Sequence, residues 1–283
     1  MPQHQLHVKD RDFIKSHAGA GEMRDLFRQQ ASAYALYRPK YPGYIIDWVL
    51  RHVPKGRHRI AVDLGTGSGQ VAGPLAASKR FSKVIGIDRS EAQLEQATKL
   101  FPEVEFRVGD AANVDPSIVP TGAASLVTSA QMAHWLLEKG EWERYISGLE
   151  RVLDPVDGLA CILGYEMCTV DNPDLKPVFD AFYKSTMPLW HEKCNRSVLD
   201  KSFEGVDFSP LRVVAKARVD EPTTMTTDAF LEYVKTWSAF TNVEDYSLHD
   251  KLRKDFLEAG YQGEKDVTIH QGFFAVLLGP PKK

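Results

Sequence analysis

The feature that most constrains the fold is a short segment in which a hydrophobic run ends in an acid and is followed by glycine at alternate positions. Residues 60–69 have the sequence IAVDLGTGSG. Glycine at this spacing lets the backbone take φ angles that other residues avoid, and it lets a ligand approach the main chain closely. The pattern is typical of a buried strand that turns sharply into a helix and binds a nucleoside-bearing cofactor at the turn.

The glycine spacing also bears on which cofactor binds. Dinucleotide-binding turns favour Gly-x-Gly-x-x-Gly, which would need glycine at position 70, where this chain has Gln70. The observed Gly-x-Gly-x-Gly, with Asp63 two residues before the first glycine, resembles motif I of the class I S-adenosylmethionine (SAM)-dependent methyltransferases. A NAD-dependent oxidoreductase remains an alternative, because an acid at the end of the second strand would serve either cofactor. The residues of this turn that we assign to the cofactor are Gly65, Thr66, Gly67 and Gly69.

Composition narrows the class of protein. The chain has 283 residues, of which 43% are hydrophobic and 26% charged, and this size and balance suit one globular α/β domain. A net charge of −3 gives no sign of a basic face for nucleic acid, and no apolar stretch is long enough to span a membrane. Three cysteines without Cys-x-x-Cys spacing, and a polar N-terminus without a secretory signal, predict a cytoplasmic protein. We predict no metal site, and the oligomeric state, monomer or dimer, stays open.

Strand and helix patterns alternate after residue 58, which predicts a parallel sheet covered on both faces. The predicted strands are 59–64, 83–87, 104–108, 123–129, 158–166, 211–219 and 267–278. The predicted helices are 69–80, 91–100, 142–153, 226–238 and 247–260, with further helices inserted between 171 and 208. The fold predicted is α/β and Rossmann-like, with a seven-stranded, mostly parallel sheet and a helical lid inserted after strand five.

We divide this single domain into four parts. They are an N-terminal helical arm (1–58), a SAM-binding core (59–169), the helical substrate lid (170–208), and C-terminal strands and helices that complete the sheet (209–283). Ligands bind such sheets beyond the carboxyl ends of the strands, where the strand order reverses.

Acids follow three of the predicted strands, and each suits one part of SAM. Asp63 can accept a hydrogen bond from the methionine ammonium, directly or through water, and Asp88 can accept from both ribose hydroxyls. Asp110 with Ala111 can meet the edge of the adenine, and the aliphatic stem of Arg89 can cover its face. These side chains should converge on one crevice although they are far apart in the sequence.

Two further segments narrow the resemblance. Residues 34–42 fit Tyr-x-x-x-Arg-Pro-x-Tyr-Pro, and residues 130–135 fit Ala-x-x-x-His-Trp. Together with residues 230–241, they are similar to the trans-aconitate methyltransferase family and to its fungal cantharidin-resistance relatives. The resemblance is strong in the cofactor half of the chain and weak in the insertion.

This resemblance implies roles for residues outside the glycine turn. Tyr37 and Arg38 would close over the cofactor, with Arg38 pairing with the methionine carboxylate through two hydrogen bonds. Ala130 and Gln131 would line the methionine and sulfonium side. The residues that would stand near the transferred methyl group, and that we take as catalytic, are His134 and Trp135. The residues assigned to the substrate are Tyr34, Tyr41, Trp190 and Trp237.

The function predicted is transfer of a methyl group to a small molecule by in-line displacement. A carboxylate acceptor is already ionised and needs no base, whereas an amine or hydroxyl would need one, for which His134 is the candidate. A protein, peptide or amine N-methyltransferase is the alternative within the same chemistry. A small acid would require a cation in the pocket, and we expect the three candidates in the insertion, Lys184, Lys193 and Arg196, to lie at the surface.

Overall fold

The computed structural model describes residues 39–55, 60–138, 140–191, 194–240 and 245–281. The strands in this part are β1 (Ile60–Leu64), β2 (Lys83–Asp88), β3 (Glu105–Val108), β4 (Ala124–Ala130), β5 (Leu159–Tyr165), β6 (Thr169–Val170), β7 (Arg212–Thr226) and β8 (Asp266–Gly279). The α-helices are α1 (Gly43–His52), α2 (Ala72–Ala77), α3 (Glu91–Leu100), α4 (Glu141–Val152), α5 (Lys176–Thr186), α6 (Arg196–Leu199), α7 (Thr227–Lys235) and α8 (Ser247–Glu258). Short 3-10 helices cover Ala133–Leu136, Met187–Leu189 and Ser238–Phe240.

All eight strands belong to one mixed sheet, in which β3, β2, β1, β4 and β5 lie side by side and parallel. The antiparallel strand β8 follows, and β7 pairs along its far side. The two-residue strand β6 pairs with β8 on the same side as β5, so β6 continues the line of β5. Eight strands therefore fill seven positions, and the predicted Rossmann-like α/β fold is confirmed.

The strand order reverses between β1 and β4, and the central strands of the sheet are buried on both faces, whereas β7 is largely exposed. On one face α4 places Tyr145, Ile146, Leu149 and Val152 against the strands, at the three- and four-residue spacing of an amphipathic helix. On the other face, α1 and α2 cover the sheet with apolar side chains. Since the parallel strands are covered on both faces, their carboxyl ends remain as the place for a polar site.

A third apolar cluster joins the helices of the insertion to those near the C-terminus. The ring centroid of Phe179 in α5 lies 5.4 Å from that of Phe230 in α7, which in turn stacks at 5.6 Å on Phe256 in α8. All three rings are fully buried. The insertion therefore shares a core with the C-terminal helices.

Several elements differ from the sequence prediction in their bounds, and two of these differences have a clear structural reason. The helix expected from residue 69 begins at Ala72, because Gly69 has φ +84° and cannot continue a right-handed helix. The strand expected over 211–219 extends to Thr226 and passes through Pro222. Proline is tolerated there because β7 pairs only with β8 among the described strands, so the side without an N–H faces no ladder.

Candidate functional site

A cavity lies at the carboxyl ends of β1, β2, β3 and β4, beside the point where the strand order reverses. Its walls combine nine of the residues predicted for the site with five others. The predicted ones are Gly65, Gly67, Asp88, Arg89, Asp110, Ala111, Ala130, Gln131 and Trp135. The others are Ser90, Gln93, Gly109, Met132 and Leu136.

The turn after β1 forms one wall of the cavity. Gly65 and Gly67 have φ of +65° and +53°, in the left-handed region that glycine adopts without strain. A Cβ added to Gly65 would lie 2.2 Å from Cγ of Met132, whereas a Cβ on Gly67 would meet nothing within 4 Å. The main chain at Gly67 is thus open to a ligand, and Gly65 is covered by the Met132 side chain.

Asp88 connects this turn to the next strand. One carboxylate oxygen accepts from the Gly67 N–H at 2.9 Å, and the other accepts from the Ser90 N–H at 2.8 Å. Burial raises the pKa of Asp88, although both of these N–H donors work against that rise. Each oxygen can accept a second hydrogen bond, so the carboxylate has the capacity to bind two neighbouring hydroxyls, as a ribose presents.

Asp63 has a different environment from Asp88 and is not among the cavity-lining residues. It is fully buried, and its two oxygens accept from the hydroxyls of Thr66 and Thr128, each at 2.7 Å. Burial raises the pKa of Asp63 to about 6, against the opposing effect of the two hydroxyls. These contacts tie the glycine turn to β4, so a direct contact of Asp63 with the methionine ammonium remains a prediction.

At the nucleoside end, Arg89 and Asp110 form an ion pair of 2.7 Å. The same Asp110 oxygen, Oδ1, accepts from the Ala112 N–H at 2.9 Å. Both side chains are mostly buried and line the cavity. The pair fixes the wall where we expect adenine, with the charge of Arg89 balanced within the protein.

Two buried amide oxygens lie at the cavity walls without a hydrogen-bond partner among the described residues. They belong to Gln93, in the first turn of α3, and to Gln131, just after β4. An unpaired buried acceptor destabilises the free protein. SAM has donors on its adenine, ribose and ammonium groups and a positive sulfonium, so the polar atoms of the cavity fit this cofactor.

The two predicted catalytic residues are placed differently. Trp135 lines the cavity, whereas His134 is not among the lining residues, is buried, and has its ring centroid 5.3 Å from that of Trp135. The backbone carbonyl of His134 accepts from Nδ2 of Asn195 at 3.3 Å, just before α6. The buried Trp135 and Cys194 and the half-buried Trp190 form one small apolar cluster.

The aromatic residues assigned to the substrate lie outside this cavity lining. Tyr41 packs its ring 6.1 Å from Tyr165 on β5 and 5.9 Å from Phe273 on β8, as part of the apolar cluster on one face of the sheet. Trp190 stacks 5.9 Å from Trp237, which is fully buried in the third apolar cluster. The predicted residues Tyr34, Tyr37 and Arg38 are outside the described residues, as is Lys193.

Arg196 corrects one expectation, because it is not at the surface. Its side chain is only 11% exposed, and Nη2 donates to Asp200 at 2.7 Å and to the Tyr165 carbonyl at 3.4 Å. Nε is buried and has no hydrogen-bond partner in the described part of the chain. Burial lowers the pKa of this guanidinium, but the attraction of Asp200 outweighs that effect, so the group stays charged. Lys184 is exposed as expected.

The cavity residue Gln93 was not predicted, although the sequence contains a pattern that points to it. Gln93 shares the buried face of α3 with Leu94 and Ala97, and a polar residue on an apolar helix face next to a strand end indicates a ligand or a buried partner. Met132 and Leu136 gave no such signal, because apolar residues after a strand are expected in any core.

Comparisons with known proteins agree with this geometry. A family model described as a methyltransferase domain matches residues 61–156. A protein of Dictyostelium discoideum that bears the name methyltransferase is 29% identical over 264 residues, which are 92% of this chain and 95% of the relative. The trans-aconitate 2-methyltransferase of Methylobacterium radiotolerans is 35% identical over 88 residues, 31% of this chain and 32% of the relative.

The fold is also found among solved structures. A methyltransferase structure from Anaeromyxobacter dehalogenans superposes with a TM-score of 0.66 at 24% identity, covering 87% of this chain and all of that one. This match concerns the fold, and the match to the methyltransferase domain covers β1 to β4 with the turn that lines the cavity. SAM rather than NAD is therefore the cofactor. The chain thus contains a methyltransferase domain over residues 61–156 and is a SAM-dependent methyltransferase with a Rossmann-like fold.

Proposed function

We propose that this enzyme methylates a small molecule that carries a carboxylate. The observation that carries the proposal is the buried cation Arg196, which donates to the same Tyr165 carbonyl as the cavity residue Gln131. In support, two relatives, from Methylobacterium radiotolerans and Delftia acidovorans, are named for methylation of trans-aconitate, a small carboxylic acid.

The position of Arg196 supports a role on the acceptor side. The Tyr165 carbonyl, at the end of β5, accepts from Nη2 of Arg196 and also from Nε2 of the cavity residue Gln131. The neighbouring Asn195 bonds to the backbone of His134, one residue before the cavity residue Trp135. Arg196 therefore lies directly behind the cavity wall formed by the residues after β4.

The hydrogen bonds around Arg196 leave it capacity for an anionic ligand. Asp200 is its ion-pair partner, but the same carboxylate also accepts from the Met167 N–H at 2.9 Å and from the Tyr183 hydroxyl at 3.2 Å. Asp200 is thus engaged by three donors, and Nε of Arg196 has no partner among the described residues, so the guanidinium retains a donor for a second carboxylate. The indole of Trp190, 5.8 Å from the guanidinium carbon, would support a flat organic acid.

In this proposal the residues of the chain bind SAM and the acceptor and align them for methyl transfer. When bound, SAM supplies a methyl group on a positively charged sulfur, which is a good neutral leaving group after transfer. Asp88 would hold the ribose, Asp110 and Ala111 would contact the adenine, and the open main chain at Gly67 would lie close to the cofactor. With such an acceptor, a carboxylate oxygen would bond to the methyl carbon as the carbon–sulfur bond breaks, and the electron pair of that bond would remain on sulfur. Alignment and exclusion of water provide the rate enhancement.

No proton needs to leave a carboxylate nucleophile, so His134 is not required as a base in this reaction. We propose instead that buried His134 positions Trp135 at the cavity wall. The segment 170–208 would act as the substrate lid, although its core is shared with α7 and α8. The arm residues Tyr37 and Arg38 keep their proposed role over the methionine carboxylate.

Two findings on the described residues concern possible partners. No helix among them combines the length and apolar character needed to cross a lipid bilayer. In the same residues, no group of three or more His, Cys, Asp or Glu side chains could hold a metal ion.

The proposal is tested with methyl-labelled SAM and a panel of acceptors: di- and tricarboxylic acids, their amides, small amines and a peptide mixture. We expect label in base-labile esters of the acids. Arg196→Met should raise KM for the acid about tenfold or more, Arg196→Lys less, and neither should change the affinity for S-adenosylhomocysteine. Lys184→Met, which removes an exposed cation from the same segment, is the control and should leave KM unchanged. Transfer confined to amines or peptides would contradict the proposal, as would an unchanged KM in Arg196→Met.

A further inference from the structure

Gln131 has a backbone conformation that needs an explanation. Its φ is +49°, in the left-handed region that is unfavourable for a residue with a side chain. Two hydrogen bonds to β5 hold it there: its N–H donates to the Leu163 carbonyl and its Nε2 donates to the Tyr165 carbonyl, both at 3.0 Å. Strain that is held by surrounding bonds at the wall of a cavity indicates a functional constraint.

The bond from Nε2 also fixes the orientation of the carboxamide. A carbonyl oxygen can only accept, so the amide nitrogen must face Tyr165 and the amide oxygen must face the other way. That oxygen, Oε1, is buried and unpaired among the described residues, while Gln131 itself lines the cavity. Within the described part of the chain, the protein without ligand thus holds the negative end of an amide dipole without a partner, in a side chain that lines the cavity.

The position of Gln131 relative to the strands indicates which end of the cofactor it would contact. The acids that line the cavity, Asp88 and Asp110, follow β2 and β3, and the glycine turn follows β1. Gln131 follows β4 and is bonded to β5, on the opposite side of β4 from that turn. No carboxylate lines this side of the described cavity, so a positive centre placed here would find the amide oxygen as its partner.

We propose that Oε1 of Gln131 stabilises the positive sulfonium of bound SAM and so lets the enzyme bind SAM in preference to its neutral product, S-adenosylhomocysteine. A neutral amide suits this task, because the positive charge disappears in the reaction. A carboxylate would stabilise the charged ground state more than the transition state and would slow the transfer. After transfer the interaction is lost, which favours release of the product.

Gln93 offers a matched comparison within the same cavity. Its amide oxygen is also buried and unpaired among the described residues, but it stands on α3 after Asp88, at the nucleoside end. SAM and S-adenosylhomocysteine are identical at that end. Removal of the Gln93 oxygen should therefore affect both ligands alike, whereas removal of the Gln131 oxygen should not.

The experiment measures binding of SAM, S-adenosylhomocysteine and sinefungin, in which a protonated amine replaces the methylsulfonium, to the wild-type chain, Gln131→Met and Gln93→Met. Methionine has nearly the length of glutamine and no amide. We expect Gln131→Met to weaken SAM and sinefungin about tenfold and S-adenosylhomocysteine less than about twofold. Gln93→Met should weaken all three equally. Since no acceptor is needed, the result does not depend on the proposed carboxylate substrate.

Two outcomes would overturn the proposal. Equal weakening of SAM and S-adenosylhomocysteine in Gln131→Met would assign the oxygen to the ammonium group, which both ligands share. Unchanged affinity for both would show that the oxygen serves neither. Binding of S-adenosylhomocysteine reports on folding in the same titration. Should Gln131→Met not fold, Gln131→Asn keeps a residue type that tolerates positive φ, withdraws the oxygen by one methylene, and must give the same change of preference.

Discussion

Asp63 and Asp88 end adjacent parallel strands, yet their surroundings give them different tasks. Asp88 lines the cavity and accepts two backbone N–H groups. Asp63 is buried behind the glycine turn and accepts two threonine hydroxyls, which connect the turn to β4. At the level of single residues, the acid that the sequence motif singles out most clearly is therefore the one that builds the turn.

A buried carboxylate with a raised pKa makes stability depend on pH in a defined direction. The pKa of Asp63 is 3.8 when unperturbed and about 6 in the folded chain, so the folded state binds the proton more tightly. Its contribution is fully present below pH 3.8 and is lost as the pH rises through 6. Relative to Asp63→Asn, which removes the charge, the wild-type free energy of unfolding should fall by about 2 kcal/mol between pH 4.5 and 7.5.

Urea denaturation of both proteins at the two pH values measures this difference. The raised pKa of Asp88 is present in both proteins, so the comparison isolates Asp63. A difference in unfolding free energy that does not change with pH would show that Asp63 keeps an ordinary pKa. Binding of S-adenosylhomocysteine to Asp63→Asn would then show separately whether the charge is needed for the cofactor.

Within the β1–α2 turn, two glycines with similar φ should respond differently to substitution. Alanine at either position should destabilise the folded state by about 1 kcal/mol or more, because it must adopt a left-handed backbone conformation. At Gly65 the added Cβ would also clash with Cβ and Cγ of Met132, atoms too close to the main chain to swing away. At Gly67 it meets no protein atom but occupies space beside the cavity.

We therefore expect Gly65→Ala to lose clearly more stability than Gly67→Ala. Gly67→Ala should instead lose about tenfold or more in affinity for S-adenosylhomocysteine, with about 1 kcal/mol of stability. Urea denaturation and calorimetric titration of the two variants separate the effects. If Gly67→Ala bound the ligand as tightly as the wild-type chain, the turn would not pass close to the cofactor.

The elements of the cofactor half could be predicted from the sequence, because their signals are local. Helix α3 has the predicted bounds, since Ser90 accepts from the Gln93 N–H as an N-cap and the apolar face follows helical spacing. The burial of Arg196 could not be predicted, because its partners Tyr165 and Asp200 and the neighbouring indole come together only in the folded chain. The strained φ and the unpaired oxygen of Gln131 likewise depend on bonds to β5 that the sequence around position 131 does not reveal.

At the scale of the whole molecule, the cofactor joins elements that the chain connects only through the sheet. Its cavity is formed by segments after four different strands, so a ligand that fills it should stabilise the folded state as a unit. At one hundred times its Kd, a ligand specific for the folded state adds about 2.7 kcal/mol of stability.

For a chain of this length we expect S-adenosylhomocysteine to raise Tm by about 5 °C or more, and NAD to leave it unchanged. Asp88→Ala should abolish most of the shift because the ribose hydroxyls lose their acceptor, whereas Asp47→Ala, which removes an exposed acid on α1, should retain it. Thermal unfolding of the three proteins with each ligand decides the matter: a full shift in Asp88→Ala would mean that the ribose is held elsewhere, and the assignment of the nucleoside end would have to be reversed.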